Sequence, residues 1–285
     1  MAVKKSSSLG ILHPLRALGI AEVGRGAVRA EKLEERLSPR VPFPHKHDFF
    51  QILLIQSGSG WHEIDFRRLK VEAGKIFVMK PGQVHSWQLG KNTKGYVIEF
   101  TGESLREKGP LLQWLRGSAD SLQVSGANRK KILSLAEEML AEFRDRPSLF
   151  ELANENFLRI LLIALGRSST SPRMPEVSAE TERFQELVES HFHHEHSVEF
   201  YARKLGVSAQ VLTMRISRAV GAPPRRIIHD RILLEAKRIL AHSEDPIADI
   251  GYALGFDDPN YFARFFRNNT KASPGKFRES LRKDR

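Results

Sequence analysis

The chain has 285 residues, of which 41% are hydrophobic, and it carries a formal net charge of +11 at pH 7. This length predicts two domains, each able to bury a core. The absence of cysteine excludes disulfides, thiolate metal sites and cysteine nucleophiles, and it fits a reducing cytoplasm. No apolar run approaches the ~18 residues of a membrane span, and no apolar stretch after the N-terminal residues indicates a secretory signal. We therefore expect a cytoplasmic protein with no membrane segment.

The positive charge is concentrated towards the C-terminal end of the chain. Lysine and arginine outnumber aspartate and glutamate from residue 203 onwards, whereas residues 176–199 are rich in glutamate. A clustered positive field favours nucleic acid as a partner, but a basic tail can also serve solubility alone. Charge by itself leaves both interpretations open.

The first part of the chain is predicted to form an arm followed by a β-barrel. Residues 1–40 show little periodicity, and we interpret them as a mobile arm or a short helix. From residue 41 to residue 101, short apolar or alternating segments are separated by glycine and proline turns, a pattern typical of a barrel or a sandwich. The predicted strands cover residues 49–55, 61–66, 74–79, 86–89 and 96–100.

Residues 102–166 are predicted to be helical. Apolar positions between Ile132 and Phe143 recur at helical spacing, and residues 149–165 form a second, more apolar helix. Such helices beside a small barrel need a covering surface, which is either the barrel or a second copy of the chain. We expect them to form a homodimer. Residues 167–179 have the composition of a linker, and the domain boundary is placed there.

The C-terminal region contains an internal repeat. Residues 198–207 align with residues 247–256, and each segment is predicted to be a short helix that ends at a glycine. A residue that caps helix N-termini follows in each copy, Ser208 in the first and Asp258 in the second. This order of helix, glycine turn and capped helix is typical of a helix-turn-helix unit.

In each predicted unit the second helix, the recognition helix, would place its outward residues against base edges in the major groove of DNA. Its inward positions are apolar and four residues apart, beginning at Leu212 and at Phe262. A helix over residues 224–241 would join the units. That helix spans about 26 Å, which suits two recognition helices roughly one DNA turn apart (~34 Å). One such pattern would indicate an ordinary helical hairpin, but two in a basic region indicate DNA binding by residues 180–285.

The stretch Ile247–Phe277, IADIGYALGFDDPNYFARFFRNNTKASPGKF, resembles the signature of the AraC/XylS-type transcription regulators. The resemblance extends over residues 180–285 and implies two helix-turn-helix units joined by a long helix. The base contacts that it implies come from Gln210, Thr213, Met214, Asn260 and Arg264. The phosphate contacts, which position the protein without reading sequence, are expected from Ser208, Arg215, Arg218, Arg267 and Lys271.

The two predicted recognition helices differ in chemistry. Arg264 suits the O6 and N7 atoms of guanine, and Asn260 suits adenine. Met214 stands where many members of the family carry a polar or basic residue, so its base contact would be with a thymine methyl group. Lys271 replaces a glycine that is common in the family, whereas Gly221 in the first unit retains it.

His45, His47 and Gln51 before and in one predicted strand, and residues 81–85 further along the chain, resemble the two cupin motifs. The sensor domain of AraC-type regulators is commonly a cupin-like barrel. Metal-binding cupins usually have a glutamate where Gln51 stands, although three histidines could still bind a divalent ion. We interpret the set as the lining of an effector pocket, with no metal and no cofactor. The predicted pocket residues are His45, His47, Gln51, Trp61, His85 and Trp87.

We therefore expect a two-domain α+β chain, with an N-terminal cupin-like β-barrel and flanking helices followed by an all-α domain of two helix-turn-helix units joined by a long helix. The expected function is sequence-specific transcription regulation through double-stranded DNA, controlled by a small-molecule effector in the barrel, with RNA polymerase as a further partner and the bacterial nucleoid as the place of action. One alternative is a metal-dependent cupin enzyme with a helical appendage. Another is an architectural DNA binder without sequence preference.

Overall fold

A computed structural model describes residues 26–36, 44–105, 110–168 and 178–283. They fall into two compact units, an N-terminal unit that ends at residue 168 and a C-terminal unit that begins at residue 178. The N-terminal unit contains strands and helices, and the C-terminal unit is built of helices. The expected two-domain α+β class is therefore confirmed. Residues 1–25 of the expected arm and most of the expected linker lie outside the described residues.

The described part of the N-terminal unit has eight strands and four α-helices. The strands are β1 (Val28–Lys32), β2 (Phe50–Ser57), β3 (Gly60–Ile64), β4 (Arg67–Val71), β5 (Lys75–Met79), β6 (His85–Leu89), β7 (Lys94–Phe100) and β8 (Ser121–Gln123). The helices are α1 (Leu33–Arg36), α2 (Pro110–Gly117), α3 (Gly126–Asp145) and α4 (Phe150–Ser168). One antiparallel sheet has the order β1-β7-β2-β5-β8, and a smaller one has the order β4-β3-β6.

The larger sheet is buried on both faces, which explains why β2 is apolar along most of its length. Successive side chains of a strand point to opposite faces. Ile52 and Leu54 pack in one cluster with α2, α3 and α4, while Leu53 and Ile55 pack in another with Phe77 and residues of the smaller sheet. The interior between the two sheets is therefore separate from the helical layer.

Part of the expected arm belongs to the sheet, so the interpretation of residues 28–32 as an arm or a short helix is wrong, whereas residues 33–36 do form a short helix. β1 pairs antiparallel with β7, with Ala30 opposite Ile98, and Leu33 of α1 is fully buried. β1 lies at the edge of the sheet and has only two buried residues, so its alternation is too short to be recognised from sequence. The expected limits of the barrel, residues 41–101, are also too narrow, because β1 and β8 lie outside them.

The C-terminal unit consists of seven helices in its described residues. They are α5 (Ala179–His191), α6 (Val198–Lys204), α7 (Ala209–Val220), α8 (Pro224–His242), α9 (Ile247–Ala253), α10 (Pro259–Thr270) and α11 (Pro274–Lys283). The predicted repeat corresponds to the pairs α6–α7 and α9–α10. Each pair is followed by a helix with proline at its first position, and α8 is the predicted connecting helix.

The same local interactions build both helix-turn-helix units. The Val207 N–H donates to the Ala202 carbonyl, and at the equivalent place the Phe256 N–H donates to the Gly251 carbonyl, both at 3.0 Å. The recognition helices then begin at side-chain caps. Ser208 accepts from an amide of α7 at 3.2 Å, and Asp258 accepts from an amide of α10 at 2.9 Å. These caps satisfy amides that a helix leaves unpaired at its start.

Helix α8 packs in the core between the two helix-turn-helix units. Its buried residues recur every four positions, at Ile228, Ile232, Ala236 and Leu240. They belong to one apolar cluster with the inward residues of both recognition helices, including Leu212 and Phe262. Because α8 packs against α7, α9, α10 and α11, both helix-turn-helix units share a single core.

The two turn glycines offer a test of this packing. Gly206 and Gly255 both have left-handed φ values, +71° and +79°, but a Cβ at Gly206 would meet no described heavy atom within 4 Å. A Cβ at Gly255 would lie 2.4 Å from the His193 carbonyl oxygen. We expect Gly206→Ala to cost about 1–2 kcal/mol from backbone strain alone, and Gly255→Ala to cost a further ~1–3 kcal/mol from overlap. Urea unfolding of the full chain, followed by far-UV circular dichroism, measures both; equal losses would contradict the packing.

Candidate DNA-binding surface and sensor site

All five residues predicted to contact bases lie exposed on the recognition helices. α7 presents three of them and α10 presents two, while the residues between them on the opposite side, Leu212, Ile216, Phe262 and Phe266, are fully buried. The exposed residues are Gln210, Thr213, Met214, Asn260 and Arg264. Each recognition helix can therefore insert these side chains into a groove without disturbing the core.

On α10 the predicted guanine-reading residue is positioned by an aromatic neighbour. The guanidinium carbon of Arg264 lies 5.2 Å from the ring centroid of Tyr261, within the range of a cation–π contact. Asn260 is in the first turn, where its backbone N–H donates to Oδ1 of Asp258 at 2.9 Å. The capped first turn and the contact with Tyr261 limit the conformations available to the two side chains that are predicted to contact bases.

On α7 the outward surface is less polar. Met214 is 63% exposed, a high value for a large apolar side chain. The neighbouring Arg215 pairs with Glu180 of α5 at 2.8 Å, so a predicted phosphate contact is held by a carboxylate in this structure. Because the Arg215 side chain is about half exposed, this pair is a weak one that a phosphate could replace.

The other predicted phosphate contacts lie at the ends of the recognition helices. Ser208 caps the start of α7, and Arg218 lies exposed in the last turn of that helix. On α10, Arg267 lies in the last turn and Lys271 is the residue just beyond it, with a left-handed φ of 65°. Gly221 takes the equivalent conformation after α7, with φ 76°.

In the N-terminal unit the structure brings three predicted pocket histidines together. His45 forms a backbone bridge with His85, and their ring centroids are 4.3 Å apart. The ring of His47 lies 5.0 Å from that of His85. A fourth histidine, His62, was not predicted, and its Nε2 is 3.1 Å from Nδ1 of His85. All four are buried.

Gln51 belongs to a buried ion-pair network that the sequence did not indicate. Its Nε2 donates to Glu99 at 2.7 Å, and Glu99 lies directly opposite it on β7. Arg36 of α1 donates to both oxygens of Glu99, at 2.8 and 2.6 Å, and also contacts Glu31. Glu99 is 1% exposed, so the bidentate ion pair with Arg36 compensates a buried charge.

Three of the buried histidines, His47, His62 and His85, are held neutral. Burial lowers the pKa of His47 and of His62 to about 3, and electrostatic repulsion by His45 lowers both pKa values further. Burial likewise places the pKa of His85 well below its usual value. A carbonyl only accepts, so the 2.8 Å contact of His47 Nδ1 with the Phe49 oxygen puts the ring proton on Nδ1. Nε2 of His47 is then an acceptor.

Four atoms of this interior are buried without a hydrogen-bond partner among the residues that the structure describes. They are His47 Nε2, Gln51 Oε1, His62 Nδ1 and His85 Nε2. Buried polar atoms are normally satisfied by protein, water or a ligand. The cluster therefore has unused capacity for hydrogen bonds.

The two tryptophans of the predicted pocket lie in different places. Trp87 is partly buried, and its ring centroid is 5.7 Å from that of His62 and 5.8 Å from that of His85. Trp61 is 42% exposed and stacks with the guanidinium of Arg68 at 4.6 Å. Its assignment to the pocket is wrong, because on β3 the inward face is that of His62 and Ile64.

Within residues 26–36, 44–105, 110–168 and 178–283, no group of three or more histidine, aspartate or glutamate residues is arranged to hold a metal ion. His62 and His85 bond to each other, and Glu99 is occupied by Arg36 and Gln51. The residues present thus do not fit the metal centre of a metal-binding cupin. No α-helix in the same residues has the length and apolarity of a membrane span.

The N-terminal unit and the C-terminal unit each match a known protein family. Residues 33–161 match the AraC-like ligand binding domain, and residues 201–280 match a helix-turn-helix domain. A ligand-binding domain followed by paired helix-turn-helix units defines a DNA-binding transcription regulator. The chain belongs to the AraC-type transcription regulators, which confirms the family expected from its sequence.

Two relatives that are named as transcriptional activators are similar to this chain over most of its length. The chain is 25% identical over 254 residues to the HTH-type transcriptional activator RhaS of Enterobacter sp. (strain 638), covering 87% of this chain and 91% of the relative. It is 26% identical to RhaS of Salmonella arizonae over 257 residues, with the same coverage. The crystal structure of ToxT from Vibrio cholerae O395 is 13% identical, covers 90% of this chain and 99% of that chain, and has a TM-score of 0.45.

The neutral histidines predict an acid-sensitive N-terminal unit. In the unfolded chain these histidines titrate near pH 6.5, so their contribution to stability is complete above that pH. It is lost as the pH falls from 6.5 towards 3, by up to about 1.4 kcal/mol per pH unit for each histidine. Trp61, Trp87 and Trp114, the chain's three tryptophans, all lie in this unit, so urea unfolding followed by tryptophan fluorescence should show a falling midpoint between pH 7 and 5. His62→Gln should reduce the slope; a midpoint independent of pH would contradict the assignment.

Proposed function

We propose that this regulator reads one operator through both recognition helices of a single chain. Gln210, Thr213 and Met214 would contact bases in one major groove, and Asn260 and Arg264 would contact bases in the next. The observation that carries the proposal is that these five side chains are exposed on two capped helices whose opposite faces share one core. The basic residues at the helix ends would contact the flanking phosphates.

The cluster around His85 is the proposed effector site. Four buried polar atoms there lack partners in the described residues, and the family match of residues 33–161 is to a ligand-binding domain. His45, His47, Gln51, His85 and Trp87 would line the site. Binding would favour one of two DNA-binding states by the difference in effector affinity between them. We propose that the chain acts by binding alone and catalyses no reaction of its own.

A homodimer is proposed through α4. Large apolar side chains are exposed along one side of this helix and at the residue just before it, namely Leu152, Ile160 and Ile163 on α4 and Leu149 before it, with exposures of 47, 43, 37 and 75%. An exposed apolar stripe of this kind, interrupted here by Asn156, is typical of a protein contact surface. A second copy of the chain is the occupant that a symmetric regulator would supply.

Activation of transcription is proposed from the relatives, because those of Enterobacter and Salmonella are named as transcriptional activators. RNA polymerase is then the expected further partner. The place of action would be the cytoplasm, with the protein on the nucleoid when it is bound to DNA.

The DNA proposal is tested by selecting bound duplexes from a random-sequence pool with the full-length protein. Arg264→Ala should weaken binding to the selected duplex by about 1–3 kcal/mol and relax preference at one base pair. Lys271→Ala should weaken binding to all sequences alike and reduce the dependence on salt. If Arg264→Ala weakened random DNA equally, Arg264 would not read a base. If no preferred sequence emerged, sequence-specific binding would be excluded.

The effector proposal predicts a fluorescence response. A compound that binds beside His62 and His85 should change the emission of Trp87, and a metabolite library can be screened for this signal. Trp87→Phe should remove the response, whereas Trp61→Phe, a change at an outward-facing tryptophan, should leave it intact. Gln51→Leu should weaken binding because it removes a buried acceptor. A response lost with Trp61→Phe but kept with Trp87→Phe would place the effector elsewhere.

The dimer proposal is tested by sedimentation velocity of the full chain. Ile160→Glu puts a charge in the centre of the apolar stripe and should shift the protein towards monomer. Glu151→Lys changes an exposed residue on the far side of α4 and should leave the association unchanged. A monomeric wild type at micromolar concentration, or equal effects of the two changes, would contradict this interface.

A further inference from the structure

A groove of about 550 Å³ lies beside the first recognition helix. Its walls include Gln210, Thr213 and Met214 of α7 together with the first residues of α6 and α8. We propose that this groove receives thymine methyl groups, so that α7 recognises its half-site by apolar contact with A·T pairs, whereas α10 recognises its own by hydrogen bonds. The inference rests on the proposed function and adds the class of base pair that the first unit selects.

The chemistry of the groove supports this occupant. Five of its lining residues are apolar, and they are Val198, Ala209, Met214, Pro223 and Pro224. The 5-methyl group of thymine is the apolar group that bases present in the major groove. A methionine side chain is flexible and polarisable, so it can adapt to such a group. Its 63% exposure in the free protein leaves Met214 available for contact.

The groove is continuous with the DNA-binding surface. Its wall is the outward face of the recognition helix, which a helix-turn-helix unit inserts into the major groove. Two charged residues complete the lining, Arg225 at the start of α8 and Glu199 in α6. The guanidinium of Arg225 suits a flanking phosphate, while the carboxylate of Glu199 disfavours a phosphate inside the groove. Base edges are thus a better occupant than the DNA backbone.

Comparison of the two repeats sharpens the contrast. With the caps Ser208 and Asp258 aligned, Met214 occupies the position of Arg264. Two helices with side-chain caps at the equivalent position and the same buried spacing therefore present a thioether in one unit and a guanidinium in the other. A guanidinium selects guanine through O6 and N7, which a thioether cannot do. The two half-sites of one operator should therefore differ in base composition.

The experiment replaces thymine by deoxyuridine, which removes the 5-methyl group and keeps base pairing. The probe is the duplex selected by the full-length protein, with the α10 half-site identified by the base pair at which Arg264→Ala relaxes preference. Deoxyuridine in the other half-site should weaken binding about fourfold for each contacted methyl, which corresponds to ~0.8 kcal/mol. Met214→Ala should abolish this sensitivity. Val220→Ala, at an exposed apolar residue of α7 outside the groove, should retain it.

The outcomes separate this inference from the function on which it rests. An α7 half-site without thymine, or binding unchanged by deoxyuridine while sequence preference persists, overturns the inference and leaves the regulator intact. Equal sensitivity to deoxyuridine in wild type and Met214→Ala also overturns it, because the methyl contact would then be made by another residue. A Met214→Ala protein that binds DNA normally but no longer activates transcription would assign the groove to a protein partner. Absence of any selected sequence would instead reject the proposed function.

Discussion

Burial of one face of α8 is the constraint on which the DNA-binding unit depends. Ile228, Ile232, Ala236 and Leu240 place this face in a core that also contains the inward residues of α7 and α10. Neither recognition helix can rotate alone without exposing part of that core. A connector of 19 residues spans about 28 Å, close to the ~34 Å of one DNA turn. The proposed reading of two successive grooves by one chain follows from this fixed separation.

Polar contacts at the end of the core reinforce the connector. The guanidinium of Arg231 lies 3.8 Å from the ring centroid of Phe192 and pairs with Glu189 and with Glu235. His196 bonds the Leu254 carbonyl through Nε2 at 2.8 Å, which ties the segment before α6 to the end of α9. The Arg231 contacts tie α8 to the end of α5, and the His196–Leu254 hydrogen bond links the two helix-turn-helix units without involving α8.

The interior of the N-terminal unit contains buried polar and charged side chains, whose burial has to be compensated. Arg36 neutralises Glu99, and burial keeps His47, His62 and His85 uncharged. The interior therefore holds uncharged histidines together with buried polar atoms that make no hydrogen bond within the described residues.

Features that depend on neighbours in sequence could be predicted, and features that depend on distant partners could not. The caps, the glycine turns and the four-residue spacing of Leu212 and Ile216 are local, and they identified both helix-turn-helix units. The roles of Arg36 and Glu99 depend on pairing between β1 and β7, which lie far apart in the chain.

The error at Trp61 was of another kind, because the signal was present. Strand alternation puts Trp61 on the same face as Glu63 and puts His62 on the same face as Ile64. An isoleucine next to a glutamate indicates which face is inward, so His62 could have been chosen in place of Trp61.

The central claim, that one rigid connector fixes the spacing of two recognition helices, is tested most directly by changing the spacing in the DNA. Five base pairs, half a helical turn, are inserted between the two half-sites of the selected duplex, and the affinity of the full-length protein is measured. The structure predicts that affinity falls to that of a duplex with only one half-site, because α8 cannot lengthen or twist to follow the displaced half-site. Affinity that survives the insertion would show that the two units move independently and would contradict the claim.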